Sequence, residues 1–265
     1  MKSKGQAVAL RMLDECGIDD PTSIPLELIV AGRGATLRFA ELKGGDGRIV
    51  RGSSKAIITI NSAIEYEGKR RFAIAHELGH FEMHQHLVHH YDTDGTLEYF
   101  KEGHQEAEAN AFATELLMPQ GLFTKACEGK RFGPDLLRAL AERFGTSITS
   151  TAYRFFEYGN HPVCLIYSFK GKVVFWKRPD NYPHFIINCT KLAPPDGTVA
   201  REYFENPTKI YSKSESKQRI WKSDWFELGR YERDQDTEFY EYCIITPKYE
   251  TVLSVVWEEK VRRGI

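Results

Sequence analysis

Apolar positions along the first 160 residues recur mainly at helical spacing, with one short stretch of strand pattern between. Ala7, Leu10, Met12, Leu13 and Cys16 predict a helix over residues 5–17, which Gly17 would stop. A second short helix is predicted from Ile24 to Ala31, ended by Gly32 and Gly34. Residues 36–42 follow as a strand, and the Gly- and Asp-rich run 43–47 as a turn. Residues 48–51 and 56–61 then form a predicted antiparallel pair. Ser62 is the expected N-cap of a helix running from about Glu65 to Met83. The pattern dissolves into a surface loop over 84–103, and an Ala-rich helix resumes from His104 to Met118, where Pro119 ends it. Two short helices, Pro134–Phe144 and Ser147–Tyr158, meet at Gly145 with the spacing of a helix-turn-helix. Beyond Asn160 the period changes to two. Residues 163–167 and 173–176 are expected to pair across a tight turn at Lys170-Gly171-Lys172, and 184–188, 219–228, 237–246 and 251–258 continue in strand style.

The expectation is therefore an α+β chain in three parts. A helical and sheet-containing core spans 1–126, a helical segment 127–160, and a mainly antiparallel β domain 161–265, with a sensor or substrate-binding role expected of the last. All four tryptophans lie in that last part, and tryptophan at strand spacing is more often core than ligand cage.

Composition narrows the function classes. The 265 residues are 42% hydrophobic and 12% aromatic, enough for a sizeable core. Lys plus Arg number 36 against 37 for Asp plus Glu, for a net charge of −1, which argues against a dominant nucleic-acid or membrane-surface role. No apolar run is long enough to span a bilayer, and Arg11, Asp14 and Glu15 interrupt the N-terminal stretch before a signal-peptide core could form. A soluble cytoplasmic protein is expected. The five cysteines are scattered without a CxxC pair, which predicts free thiols rather than disulfides or an all-cysteine metal site.

The chemistry concentrates in His76-Glu77-Leu78-Gly79-His80. Two imidazoles four residues apart on one helix point the same way, and a carboxylate follows the first. That arrangement can hold a zinc ion and place a base beside it. A catalytic zinc needs a third protein ligand. His86 has the offset of the metzincins, but Met83 stands where their pattern turns on a glycine. His84 lies one turn beyond His80, and three histidines down one straight helix cannot all reach one tetrahedral ion, so His84 is expected beside the site or facing substrate. Glu106 on the Ala-rich helix is the choice: Asn110, four residues later on the same face, would hydrogen-bond a ligand histidine. Glu108, about 200° round the helix at 3.6 residues per turn, is expected to face elsewhere.

The stretch Ala75–His80 with His84, the run Glu106-Ala107-Glu108-Ala109-Asn110-Ala111-Phe112-Ala113, the ending Leu116-Leu117-Met118-Pro119 and the helical run 137–156 closely resemble the ImmA/IrrE family of zinc metallopeptidases. The resemblance covers roughly residues 5–160. It implies a zincin core in which His76, His80 and Glu106 hold one zinc ion and Glu77 is the catalytic base. It further implies a cytoplasmic endopeptidase that cleaves a helix-turn-helix repressor encoded nearby, releasing stress-response or mobile-element genes.

Several features stay open at this level. Oxyanion donors could come from His84, His86, His89, His90, Tyr91, Tyr99 or His104. The strand Ala56–Ile60 could be an edge for an added substrate strand or an ordinary core strand. Two other function classes compete. One is a DNA-binding regulator using Leu136–Phe156, although the cations of 128–159 are nearly balanced by Glu128, Asp135, Glu142 and Glu157. The other is a zinc-binding interaction module without turnover, such as a toxin held by its antitoxin.

Overall fold

The computed structural model describes residues 2–52, 55–84, 103–206, 216–229 and 237–259, together with the backbone of 89–91. The chain divides into two compact units, Met1–Ala126 with Ala139–Ser150, and Cys127–Arg138 with Thr151–Ile265. The residues of 127–160 are thus shared between the two.

The first unit is a layered α/β body. Its helices are α1 (Lys4–Glu15), α2 (Leu26–Gly32), α3 (Glu67–Met83), α4 (His104–Leu117) and α5 (Gln120–Cys127, all but its last residue). Its sheet comprises β1 (Ala35–Ala40), β2 (Gly47–Arg51), β3 (Ala56–Asn61) and β4 (His89–Tyr91) in the order β1-β3-β2-β4. β2 and β3 pair antiparallel as the sequence predicts, and β1 adds to β3 in parallel. β3 is therefore an inner strand, with Ile58 and Ile60 fully buried, and cannot offer an edge to a substrate. β4 pairs with β2 inside the stretch expected to be a loop.

α3 packs on β2 and β3 with one face and on α4 with the other, and α4 also packs on α1. α3 starts at Glu67, later than the sequence predicts, and Ser62 does not cap it. The chain leaving β3 is instead held by its own bonds. The Ser62 N–H donates to the Ala40 carbonyl at 2.9 Å, and the Asn61 amide donates to the carbonyls of Leu42 and Gly45. These bonds extend the strand exit, and the helix starts two residues later than expected. At the far end of α3 the Arg51 guanidinium donates to the carbonyls of His80 and Phe81, and Arg33 forms a two-pronged pair with Glu82 at 2.8 and 2.9 Å. Cations at a helix C-terminus satisfy open carbonyls and oppose the dipole. α6 (Pro134–Phe144) and α7 (Ile148–Tyr158) form where predicted, with Gly145 in the left-handed region at φ +59° between them.

The second unit is built on an all-antiparallel sheet. Its strands are β5 (Cys164–Phe169), β6 (Lys172–Lys177), β7 (Gln218–Trp221), β8 (Glu238–Thr246) and β9 (Thr251–Trp257), in the order β6-β5-β9-β8-β7. Lys170 and Gly171 both have positive φ, the conformation of a type I′ hairpin turn. The core gathers Cys164, Ile166, Val173, Trp225, Phe239 and Val256, among others. Trp225 and Trp257 are buried, while Trp176 and Trp221 are exposed in part. Two stretches expected as strands differ. Residues 184–188 contribute only the bridge Ile186–Phe226. Residues 219–228 form β7 and then a single helical turn, α9 (Lys222–Trp225), because the Asp224 carboxylate accepts from the Trp221 N–H at 2.8 Å and turns the chain. α8 (Val199–Glu205) was not foreseen, although Thr198 caps it by accepting from the Arg201 N–H at 3.1 Å. All five cysteines are free thiols, Cys16 exposed and the others buried.

Candidate metal centre

Two helices supply the site. α3 presents His76, Glu77 and His80, all buried, and α4 presents Glu106 and Asn110. The crossing is close because Gly79 lies at it: a Cβ there would stand 3.0 Å from Phe112 Cδ1 and 3.2 Å from Phe112 Cβ. With the two backbones this near, side chains one turn either side of Gly79 and Phe112 reach each other.

The three predicted ligands come together. His76 Nε2 and His80 Nε2 are 3.0 Å apart. Glu106 sends one carboxylate oxygen to each, Oε2 at 3.2 Å from His76 Nε2 and Oε1 at 3.3 Å from His80 Nε2. A tetrahedral ion with bonds near 2.0–2.1 Å separates its ligand atoms by about 3.3 Å. The donor atoms therefore already stand at nearly the spacing such an ion imposes, and two imidazoles with one carboxylate are a donor set suited to zinc. Among the described residues, His76, His80 and Glu106 are the group whose ligand atoms lie close enough to share a metal ion.

The residues around this trio are as specific. His76 Nδ1 is 2.8 Å from Asn110 Oδ1, the contact anticipated for that asparagine. His84 does not join the trio. It is buried, and its Nδ1 is 2.9 Å from His80 Nδ1 while its Nε2 is 3.0 Å from Glu108 Oε2. Glu108 points away from His76, as its place on the helix predicts, but it does not leave the site. Its long side chain turns towards His84 and meets the Lys4 ammonium of α1 at 2.7 Å. Helical spacing alone could not show this, because the two partners come from other helices. Burial raises the Glu108 carboxyl, and the Lys4 ammonium together with the His84 hydrogen bond outweigh that and hold it below the ordinary glutamate range.

Glu77 is fully buried and lies against β2. The fit is set by Gly47, the first residue of that strand: a Cβ there would stand only 2.6 Å from Glu77 Oε1 and 2.7 Å from its Cγ. Sequence reasoning read Gly47 as part of a turn and missed this role, since nothing in the local pattern links it to residue 77. Among the oxyanion candidates, His104 is exposed and 3.2 Å from Glu108, on the outer side of α4. The side chains of His86, His89, His90, Tyr91 and Tyr99 lie outside the described residues.

Comparisons with known proteins agree with this geometry. Residues 31–156 match the sequence profile of a metallopeptidase family described as the IrrE N-terminal-like domain. No curated protein matches the chain. Among solved structures, a Mycobacterium tuberculosis transcriptional regulator is similar in fold, with a TM-score of 0.58 at 15% sequence identity, over 95% of this chain and 74% of that one. The likeness extends over both units, and at that identity it speaks for fold alone. The stretch from residue 31 to residue 156, which carries every residue of the trio and Glu77, is thus similar to the IrrE N-terminal-like domain of a metallopeptidase family.

Proposed function

We propose that this chain is a zinc-dependent endopeptidase whose substrate is a helix-turn-helix transcriptional repressor, so that cleavage releases the genes the repressor holds silent. The observation that carries the catalytic part is the trio of His76, His80 and Glu106 at tetrahedral spacing with Glu77 next to the first ligand in sequence. An ion held there supplies Lewis acidity, acidifying water and polarising a peptide carbonyl. Glu77 takes the proton from the attacking water and passes it to the departing amine. His76, His80 and Glu106 hold the ion, and Asn110 fixes the ring of His76. The carboxylate of Glu77 is buried.

The choice of a repressor rests on the family resemblance. Direct reading of DNA by α7 has less support, since Thr151, Ala152, Arg154 and Phe155 of that helix are buried. Incubating the purified protein with the helix-turn-helix repressor encoded beside it, with and without a chelator, tests the proposal. Two fragments by intact mass, lost with chelator and restored by zinc, are expected. An uncut repressor held in a stable complex would replace peptidase by interaction module.

A further inference from the structure

Lys4, Glu108, His84 and His80 form an unbroken line of polar contacts from the first turn of α1 to the trio. The direction of each hydrogen bond follows from the groups themselves. A lysine ammonium only donates, and an ionised carboxylate only accepts. Glu108 Oε2 receives Lys4 Nζ at 2.7 Å and faces His84 Nε2 at 3.0 Å, so that nitrogen of His84 carries the hydrogen. In neutral imidazole the other nitrogen is then an acceptor. His84 Nδ1 lies 2.9 Å from His80 Nδ1, so the hydrogen of that contact belongs to His80. His80 is left with its lone pair on Nε2, the atom that faces His76 and Glu106.

We propose that Glu108, anchored by Lys4, is a positioning residue that sets the tautomer and ring orientation of His80 through His84. The inference rests on the reading of His80 as a ligand. Asn110 does the equivalent for His76 in one step, with its Oδ1 2.8 Å from Nδ1. The His80 side needs two further residues because α3 continues beyond it and a second imidazole intervenes. The close seat of α1 makes the anchor reachable: at Gly5, next to Lys4, a Cβ would stand 2.1 Å from the Glu108 carbonyl oxygen, so only glycine lets the helix start this near α4. Outer partners of this kind change metal affinity by about 10–100-fold when removed.

The test uses the full-length, metal-free protein with ¹⁵N-labelled histidine, because ring-nitrogen shifts report the tautomer without any activity. His84 is expected as the Nε2–H form and His80 as the Nδ1–H form. The opposite form at either residue overturns the proposal, whatever the protein cleaves. Glu108→Leu is expected to release His84 to a tautomer mixture and to weaken zinc binding about 10–100-fold in a chelator competition. Glu108→Gln keeps an acceptor oxygen and is expected to preserve the tautomers. Unchanged zinc affinity in a folded Glu108→Leu, with circular dichroism as the check on folding, also overturns it. Should that variant fail to fold, the wild-type tautomers and Lys4→Met still decide the matter: Lys4→Met must weaken zinc binding in the same direction. Wild-type tautomers as stated without any zinc binding would instead refute the metal reading and leave the hydrogen-bond order standing.

Discussion

Glu77 has almost no room to move. Its carboxylate is pressed against Gly47, where even a methyl group would stand 2.6 Å from Oε1. Gly47→Ala is therefore expected to displace the carboxylate while leaving the trio intact. Zinc affinity should stay near wild type while turnover falls on the order of 100-fold, the scale of an ångström-sized misplacement, with overpacking costing about 1–3 kcal/mol. Glu77→Gln separates the same two properties more cleanly. It keeps size and removes the base, so bound zinc by elemental analysis should be unchanged while turnover drops by about 10²–10⁴-fold. Glu106→Ala acts on the other property: one of three donors is lost, and zinc should leave the protein on dialysis. A Glu106→Ala protein that retained stoichiometric zinc would exclude the trio as the metal site.

At the scale of elements, the crossing of α3 and α4 is a balance that one glycine decides. Glycine in a helix interior costs about 1 kcal/mol relative to alanine, yet a Cβ at Gly79 meets Phe112 at 3.0 Å. These nearly offset one another. Gly79→Ala should change the melting temperature little, whereas Gly79→Leu must push the helices apart, with a loss of stability and of zinc affinity together, by calorimetry and chelator competition. The two helices are legible from Phe72, Ala75, Leu78 and Gly79 along one face of the first and from the Ala-rich run ending in Leu116 and Leu117 in the second. The offset of four within one helix marks His76 and His80, while Glu106 on the second helix is chosen by its spacing to Asn110 and the family resemblance. Spacing does not find Glu108 or Gly47, whose roles depend on a neighbouring element rather than on their own. Ser62 misled because a good capping residue was already committed to the strand exit through its N–H. Residues 184–188 are apolar enough for a strand, but they pair through a single bridge, and only the sheet that forms determines that.

For the molecule as a whole, each unit is closed by contacts between segments far apart in the chain. In the first, Phe123 stacks on Phe144 at 5.5 Å, so a segment beyond residue 126 completes its core. In the second, Glu259 ties Arg131 and Lys217, each at 2.6 Å. The Lys217 hydrogen bond, against the cost of burial and with help from Arg131, holds the Glu259 carboxyl below the ordinary range. Because its folded-state value is the lower one, its stabilising contribution is fully present above about pH 4.3, the unperturbed glutamate value, and is lost as pH falls through the folded-state value. Glu259→Gln should accordingly be less stable than wild type at pH 7, and the gap should close on acidification to about pH 3. A gap that widened with acid would contradict this linkage.

The recognisable family stretch starts at residue 31, yet α1 reaches the neighbourhood of the trio from outside it, through Lys4 and the close seat at Gly5. Heritable likeness and chemical completeness thus have different borders in this chain. A gene fragment trimmed to the matched stretch would keep His76, Glu77, His80 and Glu106 while discarding a cation that faces them through two intervening side chains. Relatives compared only across the shared stretch would hide any exchange of that cation, so variation ahead of the motif is where tuning of the metal site could pass unnoticed.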